Sequence, residues 1–245
     1  MQADCETIES ATARRSGFAL IFPAFGAIHR ITAMKLLLIP VLSIVCAVAQ
    51  ATPATKHPTI DDAIAKDDLE DVRAHLAANP QSANQGGKPG SRPPLEQAIL
   101  RNRTRIAHVL IDAGANPNAA SGATRTPLHL AVERNNPEIA AALLKAGARP
   151  NERDNGGWTP LHHTGAKNLS AMAGVILKGG ADPMTLSALG GTPLHEAAAS
   201  GGAEIIRLFL DHRVDPKVKS KDGKTALDIA REFNNRAAIE ILEKL

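Results

Sequence analysis

The residues with the most obvious capacity for chemistry are three histidines at a fixed interval. His129, His162 and His195 are 33 residues apart, inside TPLHLA (126–131), TPLHHT (159–164) and TPLHEA (192–197). A fourth copy, TALDIA at 225–230, has Asp228 in place of histidine. Recurring imidazoles could bind zinc or act as bases. A zinc ion, however, holds its imidazole nitrogens at about 2.0–2.1 Å, whereas stacked helices lie about 8–10 Å apart. Equivalent histidines in successive copies therefore cannot share an ion. The adjacent pair His162-His163 diverges on a helix. The spacing favours a structural role, each histidine hydrogen-bonding from one unit to the next.

Other chemistry is thinly represented. Asp61-Asp62 and Asp67-Asp68 read as solvated capping acids rather than a calcium or acid–base pair, and RNRTR at 101–105 reads as a helix turn with an exposed face rather than a phosphate-contacting patch. No nucleophile elbow, phosphate loop or His-Glu-x-x-His is present. No catalytic residue, cofactor or metal is expected.

The elements that carry the histidines follow from the hexapeptide. Thr126 suits a helix N-cap and Pro127 the first helical position, where a missing N–H costs nothing. Leu128, Ala131 and Val132 then form the apolar face of a short helix. Asn135 can end it in a left-handed conformation, with Asn102, Asn168, Gly201 and Asn234 at the corresponding positions. Pro137-Glu138 opens a second helix with Ile139, Leu143 and Leu144 on its stripe. Gly147 stops that helix, as Gly114 and Gly180 do in their units, and a loop with Asp154 and Gly157 leads to the next Thr-Pro. Isolated helices shorter than about 12–15 residues are marginal in water, so each unit must bury its face on its neighbours.

The same step backward gives PPLEQA at 93 and IDDAIA at 60, with closing small residues at Ala65, Ala98, Ala131, Thr164, Ala197 and Ala230. Units thus start at 60, 93, 126, 159, 192 and 225. The first unit, with Ile60-Asp61-Asp62-Ala63 for the motif and a second helix shifted by one residue, is expected to be an N-terminal cap. The last, with Arg231, Glu232, Arg236, Glu240 and Glu243, is expected to be the C-terminal cap. Arg213 occupies a helix-stopping glycine position, where a left-handed conformation costs about 1 kcal/mol or more. Thr164-Gly165 replaces a small apolar pair. Both departures predict local softness in the fourth and fifth units. The strict period leaves no insertion between the second and sixth units for a catalytic loop.

A 33-residue period with T-P-L-H-x-A, joined to AGANPN, AGARPN and GGADPM, resembles the ankyrin-repeat family over residues 60–245, and among its members an exported bacterial ankyrin-repeat protein. The resemblance implies an all-α solenoid of about six helix-turn-helix units with hairpin-like loops, in which the motif histidine ties neighbouring repeats. It also implies a concave surface, made by loop tips and the exposed side of the first helices, that binds a protein partner. On that surface would lie Leu100 and Arg101; Arg125, Glu133 and Arg134; Asn155, Trp158, Ala166 and Lys167; Leu189, Ala199 and Ser200; and Lys221, Lys224 and Phe233. The strongest partner-binding candidates among them are Arg101, Arg125, Glu133, Arg134, Asn155, Trp158, Lys167, Leu189, Lys221, Lys224 and Phe233. Trp158 leads, as the only tryptophan, placed at a loop tip, since interface hot spots favour Trp and Arg. The alternative for Trp158 is structural filler over a neighbouring loop.

Composition agrees. Of 245 residues none is Tyr, one is Trp and five are Phe, so the core must be built from Leu, Ile, Val and Ala, which suits close-packed helices better than a sandwich or barrel. Residues 52–245 hold 24 basic and 22 acidic side chains. That balance argues against nucleic acid, whose binders carry a basic stripe.

The N-terminal part has its own logic. Met34–Ala51 reads MKLLLIPVLSIVCAVAQA: a short basic start, a 14-residue apolar run and a small-x-small site at Ala49-Gln50-Ala51. That is the order of a cleaved secretory signal, and the run is short for a membrane span. An uncleaved anchor, or a lipid anchor at Cys46 after Val45, is the weaker reading. Residues 1–33 are expected to be a non-native or disordered extension with translation starting at Met34; Arg14-Arg15 is a faint twin-arginine signal. Residues 52–59 read as a linker. Both cysteines, Cys5 and Cys46, lie in this leader, so the repeats have no disulfide or thiolate chemistry. The expectation is a non-enzymatic interaction scaffold, monomeric and periplasmic or secreted, free of the membrane after cleavage. The alternative is a secreted effector or immunity-type inhibitor using the same surface.

Overall fold

The computed structural model describes residues 54–119 and 125–245. The leader, including the expected signal sequence at 34–51, lies outside these residues. Twelve α-helices occur among them, and no strand. They form six antiparallel pairs: α1 (Ile60–Lys66) with α2 (Leu69–Ala78), α3 (Pro94–Leu100) with α4 (Thr104–Asp112), α5 (Pro127–Glu133) with α6 (Pro137–Lys145), α7 (Pro160–Ala166) with α8 (Ser170–Lys178), α9 (Pro193–Ser200) with α10 (Ala203–Asp211), and α11 (Ala226–Glu232) with α12 (Arg236–Leu242). A short 3-10 turn, Pro80–Ala83, follows α2. The first helices pack on one another in a row, α1 to α11, and the second helices form a parallel row behind them. No helix among the described residues is long and apolar enough to cross a membrane.

The helices begin where the sequence placed their caps. Thr126, Thr159, Thr192 and Thr225 all have extended N-cap backbones, and proline fills the first helical position of α3, α5, α6, α7 and α9. The core between the rows is aliphatic: Leu128, Ala131, Val132, Ile139, Leu143, Ile176, Leu194 and Ile205 are fully buried, and Phe209 is the one aromatic side chain that joins them among the described residues. Second-helix ends at Gly114, Gly147 and Gly180 have φ of 83, 90 and 89°. Arg213 takes the same place at φ 62°, so the strain expected there is present.

Four expectations need correction. First, α1 is capped by Thr59, whose hydroxyl accepts the Asp62 N–H. Ala63 and Ile64 are therefore the buried pair and Ala65 is exposed, so the 33-residue frame breaks before the second unit. Second, α2 starts at Leu69 and the equivalent α4 at Thr104, two residues more than the period, not one. Third, Asn102, Asn135, Asn168 and Asn234 do take left-handed φ of 49–55°, but Gly201 is extended, at φ −78° and ψ 159°, and α9 runs on to Ser200. Space, not φ, demands that glycine: a Cβ there would lie 2.7 Å from the Ala197 oxygen. Fourth, Gly165 does not simply weaken α7. A Cβ on it would lie 2.6 Å from the Pro193 oxygen, so the glycine lets α9 approach closely. The neighbouring Thr164 is buried with its hydroxyl donating to the Leu161 carbonyl at 2.7 Å. A helical glycine costs about 1 kcal/mol, and here it permits the closer packing.

The loops between units are also regular. Asp154, Ser187 and Ser220 each donate a backbone N–H across a tight turn, to Trp158, Gly191 and Lys224, at 2.8, 2.7 and 2.9 Å. Gly157, Gly190 and Gly223 turn the chain at φ 75–76°, a region glycine enters without strain. Adjacent tips touch through Ala188 N–H to Gly157 O and Lys221 N–H to Leu189 O.

Candidate functional site

Each motif histidine has both ring nitrogens occupied. Nδ1 of His129, His162 and His195 accepts the backbone N–H of Thr126, Thr159 and Thr192 at 3.2, 3.2 and 3.0 Å. A backbone N–H can only donate, so the ring proton sits on Nε2. That proton is donated to the next loop: to Trp158 O, Gly191 O and Val218 O, at 3.0, 3.0 and 3.1 Å. The third ring also faces the Lys224 carbonyl, in the place of Trp158 and Gly191, so its tie is shared with Val218. In the last unit Asp228 holds the Thr225 N–H but reaches no further loop. Burial lowers all three imidazoles, His129 and His162 to about 4, so they are neutral donors at ordinary pH.

One loop tip carries a denser arrangement. Asp154 accepts the Trp158 N–H at 3.0 Å on one oxygen and His163 Nε2 at 2.8 Å on the other. The Arg125 guanidinium is 3.8 Å from that second oxygen and 3.0 Å from Glu133. Burial alone would raise the Asp154 carboxyl, but the Trp158 N–H and the His163 ring outweigh it and hold it below the usual range. The Trp158 indole lies over both histidines of the doublet, 6.3 Å from the His162 ring and 5.1 Å from His163. It is half-buried, so it is partly the filler the sequence allowed and partly accessible. A recess of about 100 Å³ opens between Arg125, His129, Glu133, His163 and Lys167.

His129, Asp154 and His163 each offer a ligand atom within 4.8 Å of the others. The exclusion of a shared metal covered equivalent histidines only; here two non-equivalent ones converge. The chemistry of the donor set is nevertheless poor for a cation. His129 would have to lose its Nε2 proton and its tie to Trp158, beside the positive charge of Arg125. The cluster works as a hydrogen-bonded brace that fixes the Trp158 loop. His163 and Asp154 were not among the partner-binding candidates. The available signal was a histidine at 163 where the other units have Leu130, Glu196 and Ile229.

The other candidates separate into four groups. Arg125 and Lys224 are held by carboxylates on the helices that follow them, Glu133 and Glu232, the latter at 2.6 Å. Lys221 bridges tips, its Nζ donating to Ala188 O at 2.6 Å. Arg101, Arg134 and Lys167 are exposed C-caps of α3, α5 and α7. Asn155 is exposed on the Trp158 loop, and Leu189 and Phe233 are exposed apolar side chains, at 65% and 61%.

The repeats are recognised by comparison as well as by geometry. The family model for ankyrin repeats in three copies matches residues 95–186 and 165–244, a continuous stretch well over half of the 245. The chain belongs to the ankyrin-repeat family. No curated protein matches it. As an ankyrin-repeat protein it is a protein-interaction scaffold, a class of modules that is generally non-enzymatic. The brace and the histidine ties fit that role, because they fix a surface.

Proposed function

We propose that this ankyrin-repeat protein is an exported, non-enzymatic scaffold that binds a protein partner on the face formed by its loop tips and first helices. The observation that carries the reading is the division of positions within the repeat. Positions that recur from unit to unit are buried or hydrogen-bonded; positions that change, such as 101, 134, 167, 200 and 233, are exposed. A surface that varies on a constant frame is what recognition of a particular partner requires. Trp158 anchors this face: it is half-buried, its loop is braced by Asp154 and His163, and Arg125 and Lys167 line the recess beside it. A large aromatic held in place loses little entropy on binding.

Export rests on the Met34–Ala51 leader, and the periplasm is its destination in a bacterium. Two experiments test the proposal. Mass spectrometry of the mature N-terminus should find Thr52 or Gln50; an intact Met1 chain retained in the cytoplasm would overturn the localisation. Crosslinking and pull-down from periplasm should capture a protein with the native chain and lose it with Trp158→Ala/Arg125→Ala or Trp158→Ala/Lys167→Ala. Unchanged capture with folded variants would remove this face from the proposal.

A further inference from the structure

The residue that ends each first helix changes in a way that describes the partner. Arg101, Arg134 and Lys167 cap α3, α5 and α7 at one repeat position, 33 residues apart. All three are exposed, and no side-chain hydrogen bond or ion pair engages them among the described residues. Arg125 and Lys224 differ in this respect, since Glu133 and Glu232 already hold them. Further along, the same position is Ser200 and then Phe233, whose ring is largely exposed. Packed helices lie about 8–10 Å apart, and three residues of extended chain span about 10 Å.

We propose that this ladder binds an extended acidic segment of a partner protein, with an aspartate or glutamate at every third residue over Arg101, Arg134 and Lys167 and an apolar residue seated on Phe233. The apolar residue falls about six residues beyond the acid on Lys167, because two more units separate the positions. This rests on the scaffold reading above and deepens it. A polyanion such as single-stranded nucleic acid fits less well. Its charge is continuous, whereas Glu133 stands beside Arg134 on α5 and Glu196 and Glu232 lie further along the row on α9 and α11, and one exposed aromatic on this row is no stacking platform. Separate carboxylates spaced by neutral residues meet the cations and miss these acids. A cation at a helix C-terminus also interacts favourably with the helix dipole, but that contribution changes stability and not peptide affinity.

The test uses the purified full chain and a fluorescent peptide with glutamate at every third position, serines between, and leucine about six residues after the last glutamate. A control peptide carries the same residues with the glutamates contiguous, and a second probe is single-stranded DNA of similar length. The spaced peptide should bind at low salt at least tenfold more tightly than the contiguous control. Arg101→Ala/Arg134→Ala/Lys167→Ala should weaken it at least tenfold while the chain stays folded, with only the small drop in thermal midpoint that loss of the helix-dipole contacts brings, and Phe233→Ala should weaken it severalfold without altering its salt dependence. Equal binding of both peptides, or full binding by the triple variant, overturns the ladder, as does tighter binding of the DNA. If the ladder fails while Trp158→Ala still abolishes capture of the natural partner, the scaffold reading stands without it. If neither set of variants alters capture, both fall.

Discussion

The two columns that run through this molecule at the same 33-residue period do opposite things. The histidine column, His129, His162 and His195, is almost wholly buried, and each ring makes the same bond to its own N-cap. The exposed column, Arg101, Arg134, Lys167, Ser200 and Phe233, caps its helices except at Ser200, the last residue of α9, and its chemistry shifts from cationic to polar to aromatic. Both columns are generated by one repeat. The difference is where each points: a position that meets the next unit must satisfy a fixed donor–acceptor geometry, and a position that meets solvent is released from it. Constancy in the first column makes variation in the second tolerable.

The largest effect that would sharpen this contrast is in the histidine column. His162→Ala leaves the Thr159 N–H without its acceptor in a fully buried place and removes one of the two donors to the Gly191 carbonyl. A loss of about 2–4 kcal/mol in denaturant unfolding is expected, with no change in metal content. A loss below about 0.5 kcal/mol, or stoichiometric zinc that disappears with the substitution, would break the comparison.

Acid should reproduce part of this in the native chain. His129 and His162 titrate near 4 in the fold against an ordinary 6.5. Between those values the unfolded chain takes up protons that the folded chain refuses, so stability falls as pH drops from 6.5 towards 4 and this contribution levels off below. The two together are worth a few kcal/mol. Unfolding followed at pH 7 and pH 4.5 checks it, and His129→Gln/His162→Gln should flatten the dependence.

A smaller effect belongs to the stop of the fifth unit. Arg213→Gly relieves a left-handed arginine at φ 62° and should stabilise the chain by up to about 1 kcal/mol, with thermal unfolding as the measurement. The smallest effect belongs to the variable column: Arg134→Ala should change stability by less than about 0.5 kcal/mol, since its side chain is exposed. A cost comparable to that of His162→Ala would mean the two columns are not different in kind.

Much of this was legible in the chain itself, and the reason is local. Thr–Pro caps, left-handed asparagines and stop glycines act within one or two turns of backbone, so Thr126, Asn135 and Gly147 could be placed without knowing what faces them. The misplaced glycines are those decided by what packs against them. Gly201 and Gly165 look like breakers in isolation, and only the approach of Ala197, Ile205 and Pro193 shows that each is small because something fills the space. Ala65 held its place in the period but lost it in the fold, because Thr59 caps α1 and the longer connection through Pro80–Ala83 absorbs the slip.

The sequence by itself determined the repeat, its helix boundaries from the second unit onward except the end of α9, and the fact that one face would vary while another would not. The tertiary structure decided which polar groups meet across units. Asp154 with His163, the indole of Trp158 over both rings of the doublet, and the unpaired state of Arg101, Arg134 and Lys167 beside the paired Arg125 and Lys224 all depend on distances of a few Å between residues that the period sets far apart in the chain. Periodicity fixes which positions are equivalent; only packing fixes which inequivalent positions touch.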